Sequence, residues 1–504
     1  MGWSLLLCVL TTIFAAPYLL WKASRLWYQN VLPGPPPWPI IGNLLMVGWF
    51  LRKGSLAQLA ENCGPIWTYW IGPRPLIIVS GVELIHDALI NQADSFSDRC
   101  QLLSTKIESC NFRTVNTSHG PLWRKLRRNL TFEVLNATRV RTYKPVRDAE
   151  FQNLLQRFKE EARNGNGDDA GVVHAMPLVR RTLFNILNTI CFGERVEESI
   201  VVEMDALMAE LFLTVRSALS DYFVFLRPFQ PQTRIKEISR RLKELMNDRL
   251  VKIREAMKNG EPVSGRYVET LLQLQEKEGK DQLSDDNIFA LCTEVLNAGT
   301  DSTAHTIEWI LARIVANPEV QRKMVDELKT VVGDKTIEES DIEKLPYLRA
   351  VVTETQRIDG PFTLTLPHAV SRTGVKLGGY DIPTNALILF HMKSVSEDAN
   401  IWGDPQNFRP ERFLKEMAGV DLTGTKKMVL IPFGAGKRIC PGMNMALLTM
   451  PLIVGLLVQT FEWSHAESGE VDFTPGNGAL GNMATPFRAR IRDRKYSSQS
   501  DVKP

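Results

Sequence analysis

The spacing of apolar residues divides the chain into a large helical part and a small β-rich part. From about residue 119 to residue 357, apolar residues recur mostly every three or four positions, the period of an amphipathic helix. Runs of β-branched and aromatic residues at 66–71 and 76–80, separated by Gly-Pro-Arg-Pro, predict a hairpin. A second β region is predicted at 375–381 and 386–390. We therefore expect a mainly α fold with a small β-rich part and no internal repeat.

One predicted helix is much longer than the others. Ser284 has the character of an N-cap, and Asp285 and Asp286 follow it at the positive end of the helix dipole. The helical period then runs to Ala316, where an Asn-Pro pair stops it. About thirty-two residues at 1.5 Å each span roughly 48 Å. Such a helix crosses a whole domain, so we expect it to be central.

The middle of this helix, residues 297–306, reads NAGTDSTAHT and is polar. Gly299 weakens a helix interior by about 1 kcal/mol, and neighbouring hydroxyl groups compete for backbone hydrogen bonds. We therefore predict that the helix loosens or bulges here. A glycine, an acid and hydroxyl groups at mid-helix favour a groove where a small ligand meets water. The alternative is a mildly polar patch on a long helix.

The N-terminal segment predicts a membrane anchor. Residues 2–21 carry no charge and are long enough to cross a bilayer, and Lys22 and Arg25 follow directly. The positive-inside bias then leaves the rest of the chain in the cytosol. A cleaved signal peptide is the alternative, although the basic residues that normally begin one are missing. We divide the chain into an anchor at 1–30, a proline-rich linker at 31–45, and a catalytic domain at 46–504.

Composition narrows the classes of function. The 504 residues are 44% hydrophobic and 23% charged, and their formal net charge is only +3. These values are typical of a globular protein and argue against nucleic-acid binding. The seven cysteines include no CxxC pair, so neither a disulfide framework nor a zinc site is expected. Core packing is the ordinary role of any one of them.

Cys440 stands in different surroundings, within the segment PFGAGKRICPG at 432–442. Its glycines allow tight turns and a close backbone approach to a flat ligand. Pro441 is well placed as the first residue of the apolar helix predicted after it. A sulfur at a helix N-terminus is stabilised as thiolate. Such a thiolate acts either as a nucleophile or as a metal ligand, and the local pattern does not choose between them.

Two further segments are charged where the surrounding pattern is apolar. Glu354 and Arg357 lie three residues apart on one predicted helix, close enough to pair. Arg412 belongs to FRPERF at 408–413, a segment rich in proline and charge. Pairs of this kind on a surface contribute little, so these residues carry weight only together with the other motifs.

Taken together, these motifs resemble the cytochrome P450 superfamily. The cysteine loop, the Glu354–Arg357 pair, FRPERF and AGTDST at 298–303 occur in the family's order and spacing. LPGPPPWPIIGNL and LGGYDIP look most like plant microsomal members. LTGTKKMVLIPFGAGKRICPG and the later FEWS are similar to a plant branch that hydroxylates or epoxidises fatty acids.

The resemblance implies a fold in which the long helix lies over heme b, with Cys440 as the axial thiolate. Glu354, Arg357 and Arg412 would form a buried charge triad that supports the heme pocket. The remaining cofactor-binding residues would be Phe433 beside the sulfur and, on the heme propionates, Trp123, Arg127, His368 and Arg438.

On the opposite side of the heme, Asp301 and Ser302 match the family's acid–alcohol pair, which delivers protons to dioxygen. Serine here departs from the usual threonine, and Thr303 is a substitute hydroxyl. RIDGPF at 357–362 also departs from the family, whose members commonly carry His-Pro after the arginine. This segment forms a pocket wall, so the difference bears on the substrate rather than on heme binding.

The resemblance implies a monooxygenase that inserts one oxygen atom from O2 into a lipophilic small molecule, a fatty acid or a plant specialised metabolite. NADPH–cytochrome reductase would supply the electrons, and the enzyme would be a single-pass protein of the endoplasmic reticulum membrane. The pocket is expected from the 100–118 loop, the 205–230 region, the long helix, 362–366 and 476–483. The alternatives are a redox-neutral heme-thiolate isomerase or dehydratase and a non-catalytic heme- or lipid-binding membrane protein.

Overall fold

The computed structural model describes residues 32–38, 40–46, 55–165, 167, 170–229, 232–262, 264–276, 282–466, 470–476 and 481–494. The predicted anchor at 1–30 lies outside these residues. In chain order the α-helices of the first half are α1 Ser55–Cys63, α2 Val82–His86, α3 Leu103–Glu108, α4 Gly120–Arg128, α5 Ala137–Thr142, α6 Lys144–Asn164, α7 Ala175–Phe192, α8 Glu198–Arg216 and α9 Gln232–Lys258. They continue with α10 Tyr267–Gln275, α11 Asp285–Ala316, α12 Pro318–Val331, α13 Pro346–Asp359, α14 Met392–Ser396, α15 Ala399–Trp402 and α16 Met443–Thr460.

Short β-strands form two three-stranded sheets and a separate hairpin among the described residues. The strands are β1 Ile66–Ile71, β2 Arg74–Val79, β3 Val172–His174, β4 Lys376–Leu377, β5 Tyr380–Asp381, β6 Leu387–Phe390, β7 Phe461–His465 and β8 Arg488–Asp493. β1 and β2 form the predicted hairpin, and β6 pairs parallel to β2. The late β region is therefore not one unit, because β6 joins the first sheet while β4 and β5 pair with each other. The sheet β3–β8–β7 was not predicted.

The long helix is confirmed as α11, which begins after the N-cap Ser284 and ends at Ala316. It lies in the main hydrophobic core, against α7, α13 and α16. The predicted bulge is wrong, since the helix is continuous through its polar middle. Gly299 instead serves close packing: a Cβ there would stand 2.8 Å from Cδ1 of Leu187 on α7. Its missing side chain lets α7 approach α11, and the helical hydrogen bonds stay intact.

Helix α16 follows the cysteine loop and begins at Met443, with Gly442 as its N-cap. Pro441 therefore lies in the preceding turn, and the prediction that it is the first helical residue is wrong. Among the described residues, α16 is the one helix that is long and apolar enough to cross a membrane, but two thirds of it is buried in the core. Its apolar character is that of a core helix.

Candidate active site

The cysteine loop at 432–442 is held in shape by its own backbone. The N–H of Cys440 donates to the carbonyl of Phe433 at 2.9 Å. Gly436 has a φ of 67°, and a Cβ there would stand 1.9 Å from the carbonyl oxygen of Leu89. Only glycine allows this approach of two backbone segments. The loop thus fixes the place of the sulfur.

The sulfur of Cys440 is surrounded by groups that favour its negative charge. Burial raises the pKa of the thiol, but the backbone N–H groups of Gly442 and Met443 and the nearby guanidinium of Arg127 oppose that rise. Both N–H groups lie at the start of α16, where the helix dipole points its positive end at the sulfur. A positively charged partner, such as a metal ion, would complete this arrangement.

Cys440 opens onto a cavity of about 1530 Å³. Ligand pockets for one small molecule are usually about 300–1,000 Å³, so this volume is large enough for a prosthetic group together with a substrate. The cavity joins the cysteine loop to the middle of α11, to α3 and to the segment 359–368. All five regions expected to form the pocket contribute residues to its lining.

Three arginines that line or adjoin this cavity form a positively charged cluster: Arg99, Arg127 and Arg438. Burial lowers the pKa of Arg99 to about 9 and that of Arg438 to about 10, and repulsion among the three guanidinium groups adds to both shifts. Their hydrogen bonds go mainly to backbone carbonyls, of Asn116, Leu366 and Pro367 for Arg99, and of Ser97, Val115, Asn116 and Ser118 for Arg438. A group with two carboxylates, as heme b has, fits this excess of positive charge.

The other predicted cofactor-binding residues gather around the same cluster. The guanidinium of Arg438 lies 4.4 Å from the ring centroid of Trp123, whose buried Nε1 has no hydrogen-bond partner among the described residues. The Nδ1 of His368 lies 2.7 Å from the carbonyl oxygen of Phe96. Burial, with the charges of Arg99 and Arg438, lowers the pKa of His368 well below its usual value. The unpartnered indole N–H is a further sign that an acceptor belongs here.

Asp301 projects from α11 and forms an ion pair that the sequence did not predict. Its Oδ1 lies 2.9 Å from Nη2 of Arg180 on α7, and Nε of Arg180 lies 2.8 Å from Oδ1 of Asp205 on α8. Burial raises the pKa of Asp301, and the charge of Arg180 lowers it. One guanidinium thus joins the acid of α11 to two other helices.

Ser302 and Thr303 both line the cavity beside Asp301. The hydroxyl of Ser302 donates to the carbonyl of Ala298 at 2.8 Å, and the hydroxyl of Thr306 donates to the carbonyl of Ser302 at 2.8 Å. As predicted, hydroxyl groups share the backbone carbonyls here, although they do not interrupt the helix. The lone pairs of Ser302 remain available to a hydrogen-bond donor in the cavity.

The charge triad is buried beneath the cavity. The carboxylate of Glu354 accepts two bonds from Arg357 at 2.8 Å and one from Arg412 at 3.1 Å. It also accepts the N–H of Arg409 at 2.9 Å. Glu354 and Arg357 have no accessible side-chain surface, and that of Arg412 is 2%. The three residues Glu354, Arg357 and Arg412, which come from two separate segments, therefore meet.

Two functional side chains were not foreseen. Arg99 lies in SFSDRC, where no period or motif marks it. The partial burial of Arg180 could have been predicted from the sequence. It lies three residues before Leu183 and seven before Leu187, on the apolar face that α7 turns toward α11. A charged residue on a buried helix face needs a partner, and that partner is Asp301.

A half-buried cysteine at a helix start, a cationic cluster and an acid with hydroxyl groups around one cavity define a heme-thiolate protein. The chain belongs to the cytochrome P450 family, whose sequence profile matches residues 32–489. It is a heme-thiolate monooxygenase, and its family works with dioxygen and a redox partner. The small sheets beside a mainly helical body are the family's fold.

Relatives and a solved structure support this assignment. Cytochrome P450 89A9 of Arabidopsis thaliana is 36% identical, covering 92% of this chain and 94% of its own. Isoflavone 3'-hydroxylase of Medicago truncatula is 31% identical over 94% of this chain and 95% of its own, and geraniol 8-hydroxylase of Catharanthus roseus is 30% identical over 95% and 98%. A zebrafish cytochrome P450 solved with progesterone shares the fold, with TM-score 0.73, 22% identity, and coverage of 87% of this chain and 98% of that chain.

The three sequence relatives come from plants, in agreement with the plant-type motifs. The resemblance to a fatty-acid branch is not supported, since the hydroxylases cited are named for isoflavone and geraniol. The short sequence stretches on which it rested lie in and beside the heme loop, which serves the cofactor and does not report on the substrate.

Proposed function

We propose that this enzyme uses O2 and electrons from NADPH to hydroxylate or epoxidise a lipophilic plant specialised metabolite. The observation that carries the proposal is one cavity with a thiol and an arginine cluster on one side and an acid with two hydroxyl groups on the other. Heme bound there would supply the activation of dioxygen. The chain's own residues would hold the heme, deliver protons and exclude water.

In this proposal Cys440 would ligate the heme iron through its sulfur, and Phe433, which packs against the main core, would shield that sulfur from water. Arg127 and Arg438 hold the propionates, with the Nε1 of Trp123 and with His368. Arg99 joins them, because its charge lies within the same cluster.

Asp301, Ser302 and Thr303 form the proton route. Asp301, held by Arg180, would supply protons at the start of this route, and burial raises the pKa of its carboxyl. The hydroxyl of Ser302 would first break its hydrogen bond to the carbonyl of Ala298. It would then accept a proton from Asp301 and donate its own proton toward the cavity. Thr303 offers a second hydroxyl at the same wall.

The substrate class is proposed from the cavity and the relatives together. The hydroxylases of Medicago truncatula and Catharanthus roseus are named for isoflavone and geraniol, both plant specialised metabolites. The side chains around the open space are mostly apolar, which suits a lipophilic substrate.

Membrane attachment is proposed from the anchor at 1–30 and from surface exposed beside the linker. Trp38, Ile40 and Leu45 are 61%, 55% and 73% exposed, and Val224 and Phe225 are 65% and 62% exposed. The two groups lie on one side of the molecule, because the β1–β2 turn contacts both Ile41 and Phe223. Both would face the lipid of the endoplasmic reticulum, with the catalytic domain in the cytosol, and the domain limits of 31–45 and 46–504 stay predictions.

The reductase would dock on a basic surface beside the cysteine loop. Arg124 and Arg128 of α4 are exposed, and so are Lys426, Lys427 and Lys437 beside the cysteine loop. An acidic NADPH–cytochrome reductase suits this surface.

Spectra and turnover test the proposal. Reduced protein with carbon monoxide should show the thiolate-type Soret band, and Cys440→Ser should abolish it while heme is still bound. Product should require both NADPH and the reductase. A redox-neutral isomerase or dehydratase would convert a hydroperoxide without NADPH, and that result would contradict the proposal.

A further inference from the structure

One carboxyl group in the cavity has no role in the proposed chemistry. Glu108 is the last residue of α3 and lines the cavity that contains Cys440. It has neither a hydrogen bond nor an ion pair with any residue that the structure describes. Its side chain is partly buried and keeps some accessible surface, which contributes to the cavity lining. Buried polar groups normally have partners, and this one is left for a ligand.

The position of Glu108 is fixed from both ends of α3. At the start, the N–H of Ser104 donates to the carboxylate of Asp221 at 2.9 Å, and its hydroxyl donates to the same carboxylate. After the end, Cys110, Asn111 and Phe112 have φ of 47°, 67° and 58°, a left-handed run that non-glycine residues rarely adopt. Such a run persists only when surrounding contacts maintain it.

One of those contacts comes from the long helix. The side-chain amide of Asn287 on α11 donates to the carbonyl of Cys110 at 3.1 Å, and the N–H of Asn111 donates to the carbonyl of Lys106 at 2.8 Å. The turn therefore aims Glu108 from a rigid frame, which is how specificity-determining groups are usually held.

A neighbouring carboxyl of the same cavity lining, that of Glu294, differs from Glu108 because its hydrogen bonds are made within the protein. Glu294 of α11 accepts the N–H groups of Val115 and Asn116 at 2.8 and 2.7 Å, which fixes the loop after α3. Glu108 lacks such donors. Burial raises its pKa to about 7, and the negative charge of Glu294 contributes to the rise. Near neutral pH, Glu108 is therefore partly uncharged.

We propose that Glu108 binds a hydroxyl group of the substrate, and that the substrate is an apolar alcohol or phenol. This inference rests on the proposed function and narrows its substrate class. A carboxyl accepts a hydrogen bond from a substrate O–H whether it is neutral or ionised. To pair with a substrate ammonium group, the carboxyl would have to be fully ionised. The cationic cluster in the same cavity also disfavours a positively charged substrate.

Two matched probes test the proposal on the heme-containing, full-length enzyme without NADPH. They are 4-hydroxybiphenyl, which donates a hydrogen bond, and 4-methoxybiphenyl, which does not. Calorimetry and the Soret shift give both dissociation constants. Wild type should bind the hydroxyl probe about tenfold more tightly, the factor expected of one hydrogen bond to a buried carboxyl. Glu108→Leu should bring the ratio to about one by weakening only the hydroxyl probe.

Two variants separate a hydrogen bond from a change of shape. Glu108→Gln keeps an acceptor oxygen and should retain a preference of several-fold. Thr105→Val changes a neighbouring cavity residue of α3 and should leave the wild-type ratio. Equal affinity of wild type for both probes, or an unchanged ratio in Glu108→Leu, overturns the proposal. The carbon monoxide spectrum, recorded in parallel, reports on the heme-thiolate site, so failure of the proposed function is seen separately from failure at Glu108.

Discussion

The two sides of the cavity differ in how their polar groups are satisfied. Below the cysteine loop, Glu354 is saturated by Arg357, Arg412 and the N–H of Arg409, and the spare donors of Arg357 reach the carbonyls of Ser396, Pro405 and Asn407. On the side formed by α3 and α11, the carboxyl of Glu108 lines the cavity and has no hydrogen bond or ion pair with any residue that the structure describes. The saturated side is suited to hold the cofactor permanently, and the unsaturated side keeps hydrogen-bonding capacity for substrate and water.

The largest effect is expected on the saturated side, from Glu354→Gln. The change leaves two buried guanidinium groups without their shared negative charge, which typically lowers the free energy of unfolding by about 3–5 kcal/mol. Urea unfolding followed by fluorescence, with the heme content of the purified protein, measures the loss. Glu397→Gln is the control, since Glu397 pairs with Lys393 at a half-exposed site and its loss should change stability by less than about 1 kcal/mol. Similar stability of the two variants would contradict the comparison.

The same contrast explains what the sequence could predict. The cysteine loop, the Glu354–Arg357 pair and the N-cap Ser284 depend on contacts within short segments of fixed spacing, so their patterns indicate them. The place of Arg412 beside Glu354, 58 residues away, was expected only from the family resemblance. Arg99 was missed because its partners are backbone carbonyls from 116 and 366–367, and backbone atoms leave no trace in residue types. β3 and β8 pair across more than 300 residues, and β3 has only three residues, too few to show a period. Gly299 was misread because its role depends on the approach of α7.

A second prediction concerns the ion pair that holds the acid of α11. Arg180→Met removes the cation from Asp301 and Asp205, so burial should raise the pKa of Asp301 further. The carboxyl then stays protonated to higher pH, and the pH at which proton delivery changes should move upward. Because Asp301 also loses the partner that positions its carboxyl, product formation at neutral pH should fall about tenfold, less than on removal of a general acid itself. The measurement is the pH profile of product formed per NADPH consumed.

Arg181→Met is the matched control for that profile. Arg181 is the next residue of α7, and it pairs at 2.5 Å with Glu198, whose side chain is 50% exposed and distant from the described cavity lining. Its profile should match wild type. An unshifted profile in Arg180→Met would mean that Asp301 does not titrate during turnover.

A smaller effect is expected at Ser302. Ser302→Ala removes a hydroxyl from the cavity wall but leaves Asp301 and Thr303 in place, so NADPH oxidation should continue while coupling to product falls several-fold and hydrogen peroxide is released. Ser302→Thr, which restores the family's usual residue, should couple as well as wild type or better. Unchanged coupling in Ser302→Ala would assign the proton route to Thr303 or to water, and Thr303→Val in the same background would then distinguish these two.

The smallest effect is expected from Gly299→Ala, which tests how closely α7 packs against α11. Alanine favours a helix interior over glycine by about 1 kcal/mol. The new Cβ would stand 2.8 Å from Cδ1 of Leu187, the movable end of a flexible side chain, so Leu187 must shift and part of that gain is lost. The free energy of unfolding in urea should therefore change by less than about 1 kcal/mol. Gly299→Val, with two methyl groups against Leu187, should destabilise clearly, and a fully stabilising Gly299→Ala would show that α7 does not approach α11 this closely.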